Sequence, residues 1–213
     1  MDLDRLCSLL QDMEVEGWWP SDGPFEVMVG ALLTPQTTWE KVVLVLETMR
    51  REGLMDPLSL SQCPVGRLQE LVRPTGFFRQ KSQRLQALSR HIVKEHDGDP
   101  REMLQGDLRE RRRELLSLPG IGPETADSIL LFAGGRPKFV AAIYVIRVLH
   151  RTGVLSDGDY DSAQCLVESK FPDDTGLYRR LYASLVEVAK AHCRNVPRCE
   201  GCPLRPECRF THR

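Results

Sequence analysis

The chain has 213 residues, of which 41% are hydrophobic and 28% are charged, and its formal net charge is −1. This composition excludes extensive disorder, and the near-neutral charge excludes a protein that coats nucleic acid by bulk charge alone. No apolar run approaches the roughly 20 residues of a membrane span, and the amino end lacks the pattern of a signal peptide. We therefore expect a cytoplasmic protein.

Apolar residues recur at helical spacing along the chain, and no sustained two-residue alternation is found. The segments with this period are 25–33, 42–49, 85–93, 129–133, 143–149 and 181–191. Proline and glycine cluster between these segments, at 20–24, 74–76, 119–123 and 134–137, and mark breaks in the chain. The sequence therefore predicts an all-α protein.

The segment from Leu118 to Ala126 reads Leu-Pro-Gly-Ile-Gly-Pro-Glu-Thr-Ala and is typical of a tight turn between two helices. Gly120 and Gly122 allow a sharp backbone turn, and Pro123 suits the first turn of a helix. Free N–H groups at such a helix start can bind a phosphate oxygen without reading sequence. On this segment alone, an ordinary helical hairpin is the alternative interpretation.

Four of the seven cysteines are clustered near the carboxyl end of the chain. They are Cys193, Cys199, Cys202 and Cys208. Disulfides are not expected in a reducing compartment, so the cluster predicts a metal site. Cys7, Cys63 and Cys165 are scattered, and we expect them to be buried small apolar residues.

Basic residues are concentrated in three places despite the low net charge. From Lys190 to the end, the sequence contains six lysines and arginines but only two glutamates. Further basic residues lie at Arg79, Lys81, Arg84 and at 111–113. Any single cluster can be a solvated helix face. Several clusters beside motif residues favour contact with phosphates.

The glycine-rich turn followed by the four-cysteine tail resembles the helix-hairpin-helix DNA glycosylase superfamily, and specifically its endonuclease III-like iron–sulfur group. Residues 25–26 with 32–37 resemble the family's first core helix and the glutamine turn after it. Residues 76–81 resemble the loop that presses a side chain into the duplex. Residues 159–161, and Trp18-Trp19-Pro20 followed by Trp39, are more similar to the branch related to 3-methyladenine glycosylases.

The resemblance implies an all-α fold of two helical domains that flank a DNA-binding cleft. Residues 24–135 would form a six-helix domain with the hairpin, and residues 1–23 with 136–213 would form the cluster domain. The four clustered cysteines would bind a [4Fe–4S] cluster. Their first gap holds five residues where the family usually has six, so a four-cysteine zinc site remains open. The implied partner is double-stranded DNA that contains a damaged base. The resemblance also implies a monomer that does not bind a membrane and that is nucleoid-associated in a prokaryote.

Two positions depart from the catalytic pattern of the family. Glu124 stands where bifunctional members carry the lysine that forms a Schiff base, so the lyase step should be absent or very weak. Ala142 stands at the family's aspartate, which supports positive charge on the sugar and positions water. A helix is expected to begin here, where alanine is a poor N-cap. Natural divergence and a deliberate Asp to Ala replacement both remain open.

The remaining site residues are implied by position in the family pattern. Gln36 would fill the gap left by the flipped nucleotide, and Phe77 would wedge beside the unpaired base. Arg79 and Lys81 would hold nearby phosphates. Gly120, Ile121, Gly122 and Thr125 would form the hairpin contact with DNA, and Arg147 would either face the cleft or form an internal ion pair.

The aromatic residues near the amino end are candidates for a base pocket. Trp18, Trp19 and Trp39, with Pro20, would stack on an extruded, electron-poor base. Packing against the core is the alternative for each tryptophan. For Glu124, a role as acid or base near the sugar competes with a simple favourable interaction with the helix dipole.

These residues together predict a base-excision-repair DNA glycosylase that is monofunctional. An alkylated purine would be the easiest substrate, because a base that already carries positive charge leaves with little help. The alternatives are a catalytically silent DNA-damage binding protein of the same fold, an engineered inactive glycosylase, and a zinc-stabilised module with no repair role.

Overall fold

In a computed structural model, the described residues 1–212 form twelve α-helices and contain no β-strand. The prediction of an all-α protein is therefore confirmed. The chain divides into a central unit, residues 19–136, and a terminal unit, which combines residues 1–18 with the chain from Pro137 onward. Among the described residues, no helix combines the length and the apolar character that a membrane crossing requires.

The central unit contains eight of the α-helices among the described residues. They are α2 (Pro24–Leu33), α3 (Trp39–Arg51), α4 (Pro57–Gln62), α5 (Val65–Val72), α6 (Phe78–Glu95), α7 (Pro100–Leu104), α8 (Leu108–Ser117) and α9 (Pro123–Ser128). A 3₁₀ turn, Arg73–Thr75, precedes α6, and a π-helical turn, Ile129–Ala133, continues α9. The resemblance implied six helices between residues 24 and 135, whereas this part of the described chain contains eight.

Helices α4 and α7 begin with the same Asp-Pro pair. The Asp56 carboxylate accepts a hydrogen bond from the N–H of Ser59 at 2.9 Å, and Asp99 accepts one from the N–H of Arg101 at 2.8 Å. The proline that follows each aspartate occupies the first helical position, where its missing N–H costs nothing. Local capping therefore starts helices that are too short to show an apolar period.

Helix α2 forms the centre of this unit because nine of its ten residues are buried. The only buried charge on it, Glu26, receives two hydrogen bonds of 2.9 Å from Arg50 on α3. A buried carboxylate without such a partner would be strongly unfavourable. This pair therefore joins the start of α2 to the end of α3 and fixes the register of the two helices that flank the turn with Gln36.

The terminal unit contains α1 (Leu3–Leu10), α10 (Ile143–Thr152), α11 (Tyr160–Lys170) and α12 (Thr175–Ala191). The segment before α10 is tied to α11 at Phe139. Its N–H donates to Glu168 at 2.8 Å, and its carbonyl accepts from Gln164 at 2.5 Å. Both tethers lie three residues before Ala142, so they hold the start of α10 in place.

Candidate functional site

The hairpin predicted between two helices is confirmed. Helix α8 ends at Ser117, and α9 begins at Pro123 with Gly122 as its N-cap. Gly120 has a φ of +74°, and a Cβ at this position would overlap the guanidinium of Arg84. Only glycine meets both requirements without strain. The side chain of Ile121 is buried, so only its backbone is available for an external contact.

A buried ion pair joins the two helices of the hairpin. Arg112 Nε and Nη2 lie 2.7 and 3.1 Å from the two carboxylate oxygens of Asp127, whose side chain is completely buried. Arg111 in turn contacts Glu114 at 2.7 Å. The phosphate contact favoured for residues 111–113 is therefore wrong for Arg112, which braces the hairpin from inside, and only Arg113 of the three is exposed.

The two predicted insertion residues have unusual backbone conformations. Gln36 has a φ of +58°, and Phe77 has a φ of +45°; both are in the left-handed region that favours glycine. Such a conformation costs about 1–3 kcal/mol at a non-glycine residue and is a genuine outlier for a bulky one. Phe77 is nevertheless 56% exposed, so its ring contributes little to the core. Strain at exposed side chains is typical of residues kept for contact with a ligand.

Lys81 lies in the interior of the protein and not at the surface, where a phosphate contact was predicted. Its side chain is buried, and its ammonium donates hydrogen bonds to the carbonyls of Leu33 at 2.8 Å and Thr75 at 2.7 Å. Burial, and secondarily the charge of Arg84, lowers the pKa of Lys81 to about 8. Lys81 therefore joins the end of α2 to the turn before Phe77, and the predicted phosphate contact is wrong for this residue. Arg79 is exposed.

Glu124 lies in the first turn of α9, directly after the hairpin. Its side chain is exposed, yet desolvation by surrounding protein atoms raises the pKa of its carboxyl above the ordinary value. A carboxyl with a raised pKa can hold a proton or accept one nearer to neutral pH, as acid–base catalysis requires. Thr125, next to it, is half-buried.

Trp19 and Trp39 belong to one aromatic cluster in the central unit. Their ring centroids lie 5.7 Å apart in an edge-to-face arrangement, and Trp19 lies 5.0 Å from Phe132. Trp19 also covers Gly30 of α2, where a Cβ would meet the indole at 3.5 Å. Both tryptophans pack on the core but are only half-buried. Part of each indole ring therefore stays exposed and could stack on another ring.

Trp18 belongs to a different set of side chains, in the terminal unit. Its Nε1 donates to Glu187 at 2.9 Å, and its ring meets Tyr182 edge-on at 5.4 Å. The Lys190 ammonium lies 5.4 Å from the ring centroid. Trp18 and Trp19 are thus adjacent in sequence but anchored in separate units, and Pro20 after them is exposed. Glu187 and Phe132 had no signal in the sequence.

Ala142 is the N-cap of α10, as predicted, and forms no side-chain capping hydrogen bond. The exposed side chains of Ile143 and Tyr144 follow directly. Arg147, one turn later, has its guanidinium 5.3 Å from the Tyr144 ring and donates to Asn195 at 3.3 Å. Its Nε is buried without a hydrogen-bond partner among the described residues, and no ion pair of Arg147 is found there. The first turns of α10 therefore present an aromatic and a cationic side chain together.

The four clustered cysteines line one small cavity of about 20 Å³ beside α10 and α12. Its other walls include the apolar side chains of Val148, Val188 and Leu204. Arg151 of α10 holds the loop of residues 193–208 that carries the four cysteines, called here the cysteine loop. Its guanidinium contacts Cys193 Sγ at 3.4 Å and the carbonyl of Arg194 at 2.6 Å. Converging thiols, an apolar wall and an adjacent cation fit an anionic thiolate-bound metal centre.

The three scattered cysteines differ from one another. Cys63 is buried, and Cys7 is half-buried, with a pKa raised to about 11 first by burial and then by Asp4. Cys165 is exposed on α11, so the expectation of burial is wrong for it. The residue type alone does not show whether a cysteine lies on the buried or the exposed face of an amphipathic helix.

Comparisons with known proteins agree with the helical hairpin. A family model described as "HhH-GPD superfamily base excision DNA repair protein" matches residues 29–173. A protein of Methanocaldococcus jannaschii, named as a candidate DNA repair glycosylase, is 37% identical over 196 residues, which cover 91% of this chain and 89% of that protein. The H. pylori 3-methyladenine DNA glycosylase bound to 1,N6-ethenoadenine is 28% identical, with a TM-score of 0.74 over 87% of this chain and 93% of that chain.

A solved structure of a non-covalent endonuclease III–DNA complex shares the fold, with a TM-score of 0.80 at 24% identity over 98% of this chain and 92% of that chain. The family match and the archaeal relative both extend over most of the present sequence. Together with the helical hairpin, they assign the fold of a base-excision DNA glycosylase. The chain belongs to the HhH-GPD superfamily of base excision DNA repair proteins.

Proposed function

We propose that this chain is a monofunctional DNA glycosylase that hydrolyses the N-glycosidic bond of a damaged, alkylated purine. The observation that carries the proposal is Glu124, a carboxylate with a raised pKa at the family's lysine position. Water would attack C1′, the bond to the base would break, and the base would leave with the bonding electrons. The proton lost by water would pass to a carboxylate such as Glu124.

No lysine of the chain is well placed to replace the missing amine. Lys81 is buried between two carbonyls, and four other lysines form ion pairs with carboxylates. Those four are Lys94, Lys138, Lys170 and Lys190. The ion pairs of those four lysines favour the ammonium form, which is not a nucleophile. Burial lowers the pKa of Lys81 to about 8, but two backbone carbonyls hold its amine in the interior. Of the six lysines only Lys41, on α3, remains, so we expect no Schiff base and no strand cleavage.

Alkylated purines are the substrate class that this set of residues favours. A base with a formal positive charge leaves as a neutral molecule, so the site needs less charge stabilisation. A site with Ala142 at the aspartate position offers little of it. The name of the H. pylori relative, a 3-methyladenine DNA glycosylase, supports the same class. Trp19 and Trp39 would stack on the extruded base.

Gln36 and Phe77 would occupy the duplex when the damaged nucleotide leaves it. Gln36 lies just before α3 and Phe77 is the N-cap of α6, and both have a strained backbone conformation. The buried ammonium of Lys81 binds the carbonyls of Leu33 and Thr75, which lie a few residues before them. An apolar wedge such as Phe77 offsets part of the unstacking cost. The hairpin around Gly120, Arg79 and Arg147 would contact the DNA backbone. The DNA-binding cleft implied by the family resemblance belongs to this proposal.

We expect Phe77→Ala to reduce affinity for lesion-containing duplex by about 10-fold or more, because stacking contributes roughly 1–3 kcal/mol per base. Stability should not fall, since the ring is exposed and the backbone is strained. Fluorescence anisotropy and thermal unfolding measure the two effects. Leu58→Ala is the matched control, because Leu58 is also about half exposed, at 52%, and lies on α4. Equal losses in both variants would contradict the wedge role.

The four cysteines would hold a [4Fe–4S] cluster that braces the basic loop against DNA. Bound there, the cluster supplies a rigid anionic centre for the loop, and Arg151 would balance part of its charge. Zinc is the alternative, because the first gap is one residue shorter than usual. We expect purified protein to be brown, with about four irons per chain. Colourless protein with one zinc per chain would contradict the cluster.

Glu124→Gln is expected to stabilise the fold slightly near neutral pH while it slows base release. The folded-state pKa of Glu124 is raised, so its ionisation disfavours the folded state once pH exceeds the unfolded value of about 4.3. The gain should therefore be present at pH 7 and absent at about pH 3, where both states are protonated. Thermal unfolding at both values tests this, with exposed Glu14→Gln as the control. A loss of stability of Glu124→Gln at pH 7 would contradict the raised pKa of Glu124 in the folded state.

A catalytically silent damage-binding protein is the second candidate, and Ala142 is the observation that favours it. A panel of duplexes with alkylated, oxidised, deaminated and intact bases separates the two. Release of free base from the alkylated duplexes would support the enzyme. Preferential binding without release would support the silent binder, and equal binding of all duplexes would contradict both.

A further inference from the structure

A second group of possible metal ligands lies in the central unit, apart from the four cysteines of the terminal unit. His91 Nε2 and His96 Nε2 lie 2.7 and 2.5 Å from the same atom, Glu114 Oε1. The three ligand atoms all lie within 4.8 Å of one another. We propose that His91, His96 and Glu114 form a binding site for one divalent transition-metal ion of the zinc class.

The donor set suits zinc. Two imidazole nitrogens and one carboxylate oxygen, with a fourth position open to water, form a common zinc site. Bonds of about 2.0–2.1 Å in a tetrahedron place the ligand atoms roughly 3.3 Å apart. The contacts of Glu114 with the two rings are shorter than this by less than about 1 Å. A small rotation of the Glu114 side chain, with a closer approach of the two rings from a separation of up to 4.8 Å between ligand atoms, would make room for the ion.

The backbone brings the three residues together without strain in the ligands themselves. His91 lies in the last turns of α6, His96 directly follows that helix, and Glu114 lies on α8. The N–H of His96 donates to Ile92 at 3.0 Å, and the chain then reverses at Asp97. The side chains of His91, His96 and Glu114 are 22%, 9% and 18% exposed, so the site is sheltered but reachable by an ion.

Neighbouring charges orient and tune the carboxylate. Arg111 contacts Glu114 Oε2 at 2.7 Å, which leaves Oε1 directed at the two rings, as outer-sphere partners of metal ligands do. Because Arg111 opposes a second cation, we expect moderate affinity and an anionic fourth ligand such as hydroxide.

The same contacts could serve only as internal hydrogen bonds that join α6 to α8. Cobalt(II) separates the two cases, because it replaces zinc and reports its ligands in the visible spectrum. Protein as purified, with its cysteine centre filled, would be titrated with Co²⁺ and then with competing Zn²⁺. Cobalt bound at the histidines gives weak visible bands, whereas cobalt bound to thiolates adds intense near-ultraviolet charge transfer.

We expect about one equivalent of Co²⁺ to bind without sulfur charge transfer and to broaden the ring-proton NMR signals of two histidines. Zn²⁺ should displace it and raise the melting temperature by several degrees. Glu114→Gln and His91→Gln should each weaken binding by at least about 10-fold. His150→Gln, in the terminal unit, is the matched control and should leave binding unchanged.

Absence of cobalt binding to the unmodified protein would overturn the site even if the variants do not fold. Binding that survives in Glu114→Gln, or that is lost equally in His150→Gln, would also overturn it. None of these results depends on glycosylase activity, because every readout reports the metal or the fold. The metal site and the proposed DNA chemistry can therefore fail independently.

Discussion

Ala142→Asp is expected to raise the rate of base release by about 10²–10³-fold, the range by which one electrostatic group changes a transition state. The residue caps α10, so an introduced carboxylate would be directed by the free N–H groups of the first helical turn. There it would support positive charge on the sugar. Single-turnover release of free base from an alkylated duplex measures the change.

Ala142→Asn is the matched control for that gain. Asparagine caps a helix about as well as aspartate does, but Ala142 is only 1% exposed, so the burial of a polar side chain offsets the capping gain of about 0.5–2 kcal/mol in both variants. Only the aspartate carries the negative charge. Equal activity of the alanine, asparagine and aspartate forms would favour a silent DNA-damage binder over a disarmed enzyme.

Asp127→Ala is expected to lower the free energy of unfolding by about 3–5 kcal/mol, because it removes a completely buried carboxylate that accepts two hydrogen bonds from the Arg112 guanidinium. The melting temperature should fall by roughly 6–20 °C for a chain of this length. Lesion binding should weaken as well, since the pair joins α8 to α9 on either side of the hairpin. Chemical denaturation and anisotropy measure the two losses.

The double variant Arg112→Met with Asp127→Leu tests the cause of that loss. Replacing a whole buried ion pair with apolar side chains of similar volume is often neutral or stabilising, so most of the stability should return. A double variant as unstable as Asp127→Ala would show that the damage comes from packing. A single variant that loses less than about 1 kcal/mol would contradict the role of the pair.

Local rules predicted those parts of the molecule that depend on neighbouring residues. The all-α class followed from apolar spacing, the turn around Gly120 from glycine and proline chemistry, and the missing cap at Ala142 from helix-start preferences. The predicted segments omitted α1, α5 and α11. They also did not include the short helices α4 and α7, because five or six residues show no period. Their Asp-Pro starts were the available signal.

Contacts between distant residues could not be predicted from the sequence. Lys81 was expected to reach DNA, but its partners lie at Leu33 and Thr75, and nothing in the local sequence indicates a buried ammonium. Arg151 likewise reaches the cysteine loop some 40 residues away, contacting Cys193 and Arg194. Long basic side chains look alike in sequence whether they bind phosphate or brace the fold.

The contact of His91 and His96 with Glu114 could not be predicted from the sequence either. His91 and His96 are five residues apart, a spacing that places two residues of one continuous helix on different faces. They meet at Glu114 only because α6 ends before His96 and the chain turns back. A helix end therefore creates a ligand set that periodicity alone would have separated.

One reaction tests the proposed glycosylase chemistry most directly. A duplex with a single alkylated purine would be incubated with excess protein, with and without borohydride, and scored for free base, strand cleavage and covalent adduct. We expect free base and an intact abasic strand that breaks only on treatment with alkali, because Glu124 cannot form an imine. A borohydride-trapped adduct, or no base released by either the present chain or Ala142→Asp, would contradict the proposal.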